Sequence, residues 1–369
     1  MRRRAWLVAI PLGGVVTALL ALTTLCMTSG CSSVGYLAQS ARGHLALVGS
    51  AKPVAEWLAD AHTSPSVKQR LAQSQQMRAF AVSELKLPDN DSYRRYADLK
   101  RSAAVWNVVA APELSLTLKT WCFPVVGCVG YRGYFDEAAA QAEAGSLRAQ
   151  GFEVSVYPVP AYSTLGMSDW LGGDPLLNTF IHWPELELAR LIFHELSHQV
   201  VFIQGDTAFN ESYATAVERL GGERWLRQHG SPEALQAHQA LDTRRAEMRA
   251  LTAQARARLQ ALYAGAEPDA VKRERKADIF AEMRAEHERL KQERWAGFAG
   301  YDAFFARANN ATLGMQAAYL QWVPAFEALF VQEGRDFARF HAAVGRIGAL
   351  PPPEREATLQ RLAAAAPSP

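Results

Sequence analysis

Between Pro184 and Ile203 an apolar stretch carries two histidines and a glutamate, His194-Glu195-Leu196-Ser197-His198. Residues four apart lie above one another on one face of a helix, so the two imidazoles are expected to share one neighbour. The flanks Leu191-Ile192-Phe193 and Val200-Val201-Phe202 predict that this helix is buried. Buried helices rarely hold two histidines and a glutamate without partners. A single tetrahedral metal ion would satisfy both rings. The plainer alternative is two histidines that merely pack or face solvent. Pro184 suits the first turn, with Glu185 and Glu187 near the positive end of the dipole. The helix is expected to run through His198 to about Ile203. Gly205-Asp206-Thr207 interrupts it, and a second helix is expected from Phe209 or Asn210 to about Leu220.

This pattern points to zinc hydrolysis, with one zinc per chain. Glu195 sits where it can take the proton of a metal-bound water as general base and pass it to a leaving amine. Zinc makes that water acidic enough for the step near neutral pH. A catalytic zinc needs a third ligand, and Asp206, Glu211 and Glu218 are the candidates on the next segment. Glu211 is preferred, because it stands at a helix start after a turn that lets the chain fold back. Glu218, two turns further on the same face, could instead orient a ligand histidine. The oxyanion of the tetrahedral intermediate needs a donor beyond the metal. Tyr213 and Tyr319 are proposed as catalytic, with Tyr162 as a further candidate; the alternative for each is a packing tyrosine.

The N-terminus constrains location. Arg2, Arg3 and Arg4 precede an uncharged apolar stretch from Ala5 to Gly30, the layout of a secretory signal. Thr28-Ser29-Gly30 before Cys31 resembles a lipobox, so Cys31 is expected to carry lipid; an uncleaved anchor and ordinary secretion are the alternatives. Ser32 and Ser33 after the cysteine resemble the pattern for outer-membrane sorting. The expectation is a bacterial envelope protein, lipid-anchored and facing the periplasm. Of four cysteines, cleavage removes Cys26 and lipidation uses Cys31, which leaves Cys122 and Cys128. In an oxidising compartment these are expected to form a disulfide in a tight loop or hairpin; two buried thiols are the alternative. A net charge of +2 without a basic stripe predicts no nucleic-acid partner.

The chain's 369 residues, 49% of them hydrophobic, suffice for one large core or two packed domains. Spacings of three and four predict helices over 34–104, broken at Pro53, Pro65 and Pro88. Strands are expected at Trp106–Val109, at Glu113–Trp121, where Leu114, Leu116 and Leu118 alternate with polar residues, at Cys128–Phe135 and at Phe152–Pro158. A crossover helix from Asp136 to Gln150 belongs with them. The segment Val154–Leu165 could be an edge strand that pairs with an extended peptide. Residues 241–295 read as an antiparallel helical hairpin broken at Gly265–Pro268: a solvated structural arm, or a site for a protein partner. Asn309-Asn310 reads as a cap for a helix at Ala311.

The expected fold class is α+β, mainly helical, a zincin-like core with a small sheet and a long helical hairpin. The expected divisions are a signal peptide at 1–30, a helical region at 31–105, the catalytic core at 106–230, the hairpin at 231–295 and a helical region at 296–369 that completes the core.

The runs Cys31-Ser32-Ser33-Val34-Gly35-Tyr36, Trp121-Cys122-Phe123-Pro124-Val125, Gly130-Tyr131-Arg132-Gly133-Tyr134-Phe135, Leu176-Leu177-Asn178-Thr179-Phe180 and the His194–His198 motif carry a further likeness. Over most of its length, down to Asn309-Asn310-Ala311 and Val323-Pro324-Ala325-Phe326, the chain resembles the zinc aminopeptidase family of Gram-negative bacterial lipoproteins. The resemblance implies a zinc peptidase acting on peptides, with His194, His198 and Glu211 as ligands and Glu195 as base. The Gly-x-Met-Glu-Asn run of well-known zinc aminopeptidases, which anchors a free amine, is absent; Gly166-Met167-Ser168-Asp169 is a faint echo. The competing function is a non-catalytic envelope scaffold that binds a partner through the hairpin, with zinc in a structural role.

Overall fold

The computed structural model describes residues 31–123, 127–162 and 173–365. Residues 1–49 and 50–369 form two separate compact units. Helix α1 spans Cys31–Ser50, all but its last residue in the first unit. The expected leader at 1–30 lies outside the described residues. No helix among the described residues is long and apolar enough to cross a membrane.

The second unit is built around strand β3 (Val105–Pro112). It is the centre of a sheet with β6 (Arg132–Tyr134) on one side and β7 (Phe152–Val159) on the other, both antiparallel to it. Helix α4 (Glu137–Ala149) crosses from β6 to β7, opening at Asp136, whose carboxylate accepts from Ala139 N, and followed by Gly151 at φ +85°. Val108 to Ala111 are consecutively buried. They do not alternate, because α4 covers one face of the sheet and α10 (Asn310–Leu320) packs on β3 as well. Asn309 caps α10 by accepting from Thr312 N at 3.0 Å.

The strand expected at Glu113–Trp121 is largely not one: only Trp121 joins a strand, and residues 113–120 form a turn and an irregular segment. The leucine alternation is real but serves packing. Leu116 packs against the helical hairpin's apolar cluster, and Leu118 against Val109, Ala311 and Met315. The segment pairs with no ladder, and Lys119 N bonds back to Ala110 O. A short hairpin follows, β4 (Trp121–Phe123) with β5 (Gly127–Val129), in which Cys122 lies opposite Cys128 and their sulfurs are bonded.

Before the sheet come β1 (Lys52–Pro53), α2 (Val54–Ala59), α3 (Pro65–Ser83) and β2 (Arg95–Ala97). β2 pairs antiparallel with β1 and parallel with β8 (Leu176–Leu177). After it come α5 (Glu185–Ser197), α6 (Thr207–His229), the hairpin α7 (Pro232–Ala264) and α8 (Asp269–Glu293), then α9 (Asp302–Arg307), α10, α11 (Val323–Gln332), α12 (Phe337–Gly348) and α13 (Pro352–Ala364). The unit is thus α+β and mainly helical.

The hairpin is stitched to the body. Leu251, Leu259, Ile279, Phe280 and Met283 bury against Trp295, Phe305 and Leu313. Tyr263 donates to Asn310 Oδ1 at 2.8 Å, and Lys276 reaches both Glu113 O and the Glu153 carboxylate.

Candidate metal centre

Helix α5 ends at Ser197, six residues before the expected stop. Ser197 Oγ donates back to His194 O at 2.6 Å, and the chain turns at once. The reversal is fixed by Asn210, 3% exposed, whose side chain holds both Ile203 N and Ile203 O at 2.8 Å. Gly205 takes φ +79°, and Asp206 caps α6 by accepting from Phe209 N at 3.0 Å. The chain therefore folds back, and α6 lies along α5. It continues past Leu220 to His229 through Gly221 and Gly222. A Cβ on Gly221 would meet Leu85 and Phe193, and one on Gly222 would meet Arg190. These glycines sit inside a helix because only they let α6 approach α5 so closely; they do not end it.

The approach brings three ligand atoms together. His194 Nε2 lies 3.3 Å and His198 Nε2 3.8 Å from Glu211 Oε2. All three atoms fall within 4.8 Å of one another. Ligand atoms of a tetrahedral zinc at about 2.0–2.1 Å stand roughly 3.3 Å apart, so the donor set and its spacing fit that ion. Glu218, two turns beyond Glu211 on the same face, lies 3.0 Å from His194 Nδ1. Accepting from that nitrogen leaves Nε2 free for a metal and fixes the ring. Asp206, the third candidate ligand, is spent on the cap and on Arg355, 2.9 Å away.

Charge in the cluster follows from this geometry. Burial works against a charged His194, but Glu211 and Glu218 at its two nitrogens and the nearby Glu195 outweigh it, holding its pKa well above the ordinary histidine value. His198 is pushed down to about 4, by burial first and by the neighbouring His194. Burial raises Glu211 and Glu218, yet the histidines hold both below the usual range, with Arg190 and Arg245 helping at Glu218. Arg190, 7% exposed at its side chain, stands one turn before His194 on the same face. Its Nη2 is 3.6 Å from Glu218 Oε1. It faces Glu187 and Asp242 as well, so an ion network across α5, α6 and α7 backs the cluster. The sequence reading passed over Arg190; its i−4 spacing from His194 was the available signal.

The tyrosines divide. Tyr213 is fully buried, and its hydroxyl lies 2.8 Å from His341 Nδ1, among Phe326 and Phe340. It stands two residues from Glu211, about 200° around the helix, and so faces the opposite side of α6. Its hydroxyl is not brought to the histidines. Tyr319 lies on α10, with its side chain outside the described residues. Tyr162 packs its ring on Phe135. Tyr157, which the sequence did not single out, is reached by the charge of Glu211. Its hydroxyl accepts from Asn107 Nδ2 at 3.4 Å, and burial above all raises its pKa.

Tyr157 also lines a groove of about 820 Å³. The groove is walled by Val154 to Tyr157 of β7, by Gln141 and Arg148 of α4, and by residues of α9 and α10. β7 is an edge strand among the described residues. The three candidate ligand residues do not line the groove.

A family model described as "Putative aminopeptidase" matches residues 35–359 of the sequence. No curated protein and no solved structure matches it.

Proposed function

The chain belongs to that aminopeptidase family, and on this premise we propose that it is a zinc-dependent peptidase with its metal on His194, His198 and Glu211. Peptidase action is what the family description carries. The zinc, the mechanism and the zincin-like character of the core are our reading. The observation that supports it is the convergence of two imidazoles and one carboxylate at zinc spacing, with Glu218 behind His194. Zinc, when bound there, would supply the positive charge that acidifies a water and polarises a carbonyl.

The chain's own residues do the rest. Glu195, partly exposed on the helix turn that carries both histidines, takes a proton as general base and returns it to the leaving amine. Glu218 holds the His194 ring in one tautomer. The outer edge of β7 offers backbone groups to an extended peptide, save Val154 O, which accepts from Asn309 Nδ2, and the groove beside it offers apolar walls. Tyr157, which lines the groove and feels the charge of Glu211, is our candidate for a tyrosine that touches a substrate. We further propose that lipid on Cys31 anchors the chain at the periplasmic side of a bacterial envelope, where the Cys122–Cys128 bond persists. Mass spectrometry of the mature N-terminus should show an acylated Cys31; an intact residue 1 or an unmodified cysteine would end the anchor.

Glu195→Gln is the decisive variant for catalysis. It should keep about one zinc per chain and lower peptide hydrolysis by about 100- to 10,000-fold. Full hydrolysis in the zinc-loaded variant would refute the mechanism, and hydrolysis by neither the variant nor the zinc-loaded wild type would leave the scaffold reading.

A further inference from the structure

The loop Asp89–Arg94 takes no part in the mechanism above, yet it is held from four directions. Arg78 of α3, 5% exposed, donates from Nε to Ser92 O at 2.9 Å. The same guanidinium reaches Asn90 O and the Asp89 carboxylate. Gln75 Nε2 donates to Tyr93 O at 2.9 Å, and Tyr93 N donates to Asp174 O at 2.7 Å. Gln199, the residue after the ligand His198, donates to Ser92 Oγ at 3.1 Å and accepts from Asn90 Nδ2. The loop is therefore clamped directly to the end of the ligand helix.

These bonds hold Tyr93 in a conformation it would not choose. Its φ is +64°, in the left-handed region that aromatic residues rarely adopt. Its ring is 2% exposed, and its hydroxyl has no hydrogen-bond partner among the described residues. A buried unpaired hydroxyl is destabilising, and so is the backbone. The ring packs in the core and the backbone is bonded, but the hydroxyl gives the fold nothing in return. Such residues gather where chemistry needs them. Beyond burial, the groups that act on this hydroxyl are Glu195 and Asp174, and together they keep the phenol protonated, hence a donor.

Resting on the peptidase reading, we infer that Tyr93 is a positioning residue for Glu195, its phenolic O–H held ready to donate to the Glu195 carboxylate and aim it during proton transfer. Tyr93→Phe keeps the ring and deletes only the oxygen. A structural hydroxyl and a positioning hydroxyl then give opposite results. In the zinc-loaded protein we expect kcat to fall at least tenfold with KM unchanged, while Tm is unchanged or higher. In a Glu195→Gln background the same change should have no further effect, because the two residues act in one step. Four results would overturn the inference: unchanged kcat, a lowered Tm, lost zinc, or full multiplication of the two variants' effects. If wild-type protein hydrolyses no peptide, the parent reading fails first and takes this one with it; if it hydrolyses normally and Tyr93→Phe does too, only this inference fails.

Discussion

Among the described residues, two clusters gather histidine and carboxylate groups closely enough to suggest a metal: His194–His198–Glu211 between α5 and α6, and His287–Glu288–Asp302 between α8 and α9. Their distances are similar. His194 Nε2 is 3.3 Å from Glu211, and His287 Nε2 is 3.4 Å from Asp302. The difference is what else is there. At the second cluster Lys291 Nζ lies 2.8 Å from Glu288 and 3.1 Å from Asp302, so a cation of the chain itself already bridges the acids. Glu288 and Asp302 also face different nitrogens of one ring. At the first cluster no lysine or arginine among the described residues pairs with Glu211, and the arginine network stands behind Glu218 instead. The histidines register this. Acids outweigh burial at His194 and raise its pKa. At His287 burial leads, the acids oppose it, Lys291 works against them, and the pKa is lowered. What separates the two clusters is that the second already carries a cation of its own.

The sharpest break between the clusters is metal content. Glu211→Ala should take bound zinc from about one per chain to almost none, while His287→Ala leaves it unchanged, as read by elemental analysis of purified protein. Zinc retained in the first variant, or lost in the second, would erase the distinction. Next in size is the carboxylate behind His194. Glu218→Gln should weaken zinc about 10- to 100-fold in a chelator competition, and equal affinity would make Glu218 a bystander. The smallest effect is a pH response. His287 has its folded pKa below the unfolded value, so its neutral form stabilises the fold above about pH 6.5 and that stability is lost as pH falls below it. In zinc-loaded protein, His287→Gln should flatten the loss of Tm below about pH 6.5, by about 2–4 °C for each kcal/mol of linkage. Parallel Tm profiles for the two proteins would show that burial does not depress the pKa of this histidine.

Much of the metal cluster was legible because it is a matter of local phase. Four-residue spacing put His194 and His198 on one face, and the Asn210-Glu211 pair after a Gly-Asp-Thr turn marked where the chain returns. The same helical phase argues against Tyr213 beside Glu211, since two residues are a little over a half-turn. The alternation at Leu114, Leu116 and Leu118 was legible as packing but not as pairing; whether a ladder partner exists is not a local property. Tyr157 needed the register that sets it opposite Asn107. Tyr93 lies about one hundred residues from Glu195 in the chain, with no spacing to betray it.

The sequence alone settled that this chain is mainly helical and that one buried helix presents two imidazoles on a single face, because side-chain periodicity is fixed by backbone geometry within a few residues. Which acid completes that set was decided only in three dimensions. Asp206, Glu211 and Glu218 all follow the histidines closely enough to reach them. The depth to which Gly221 and Gly222 let α6 settle on α5, and the grip of Asn210 on Ile203, put Glu211 at both Nε2 atoms, Glu218 at Nδ1, and Asp206 on Arg355. A carboxylate's role is set by distances of a few tenths of an ångström, and those come from packing between helices rather than from order along the chain.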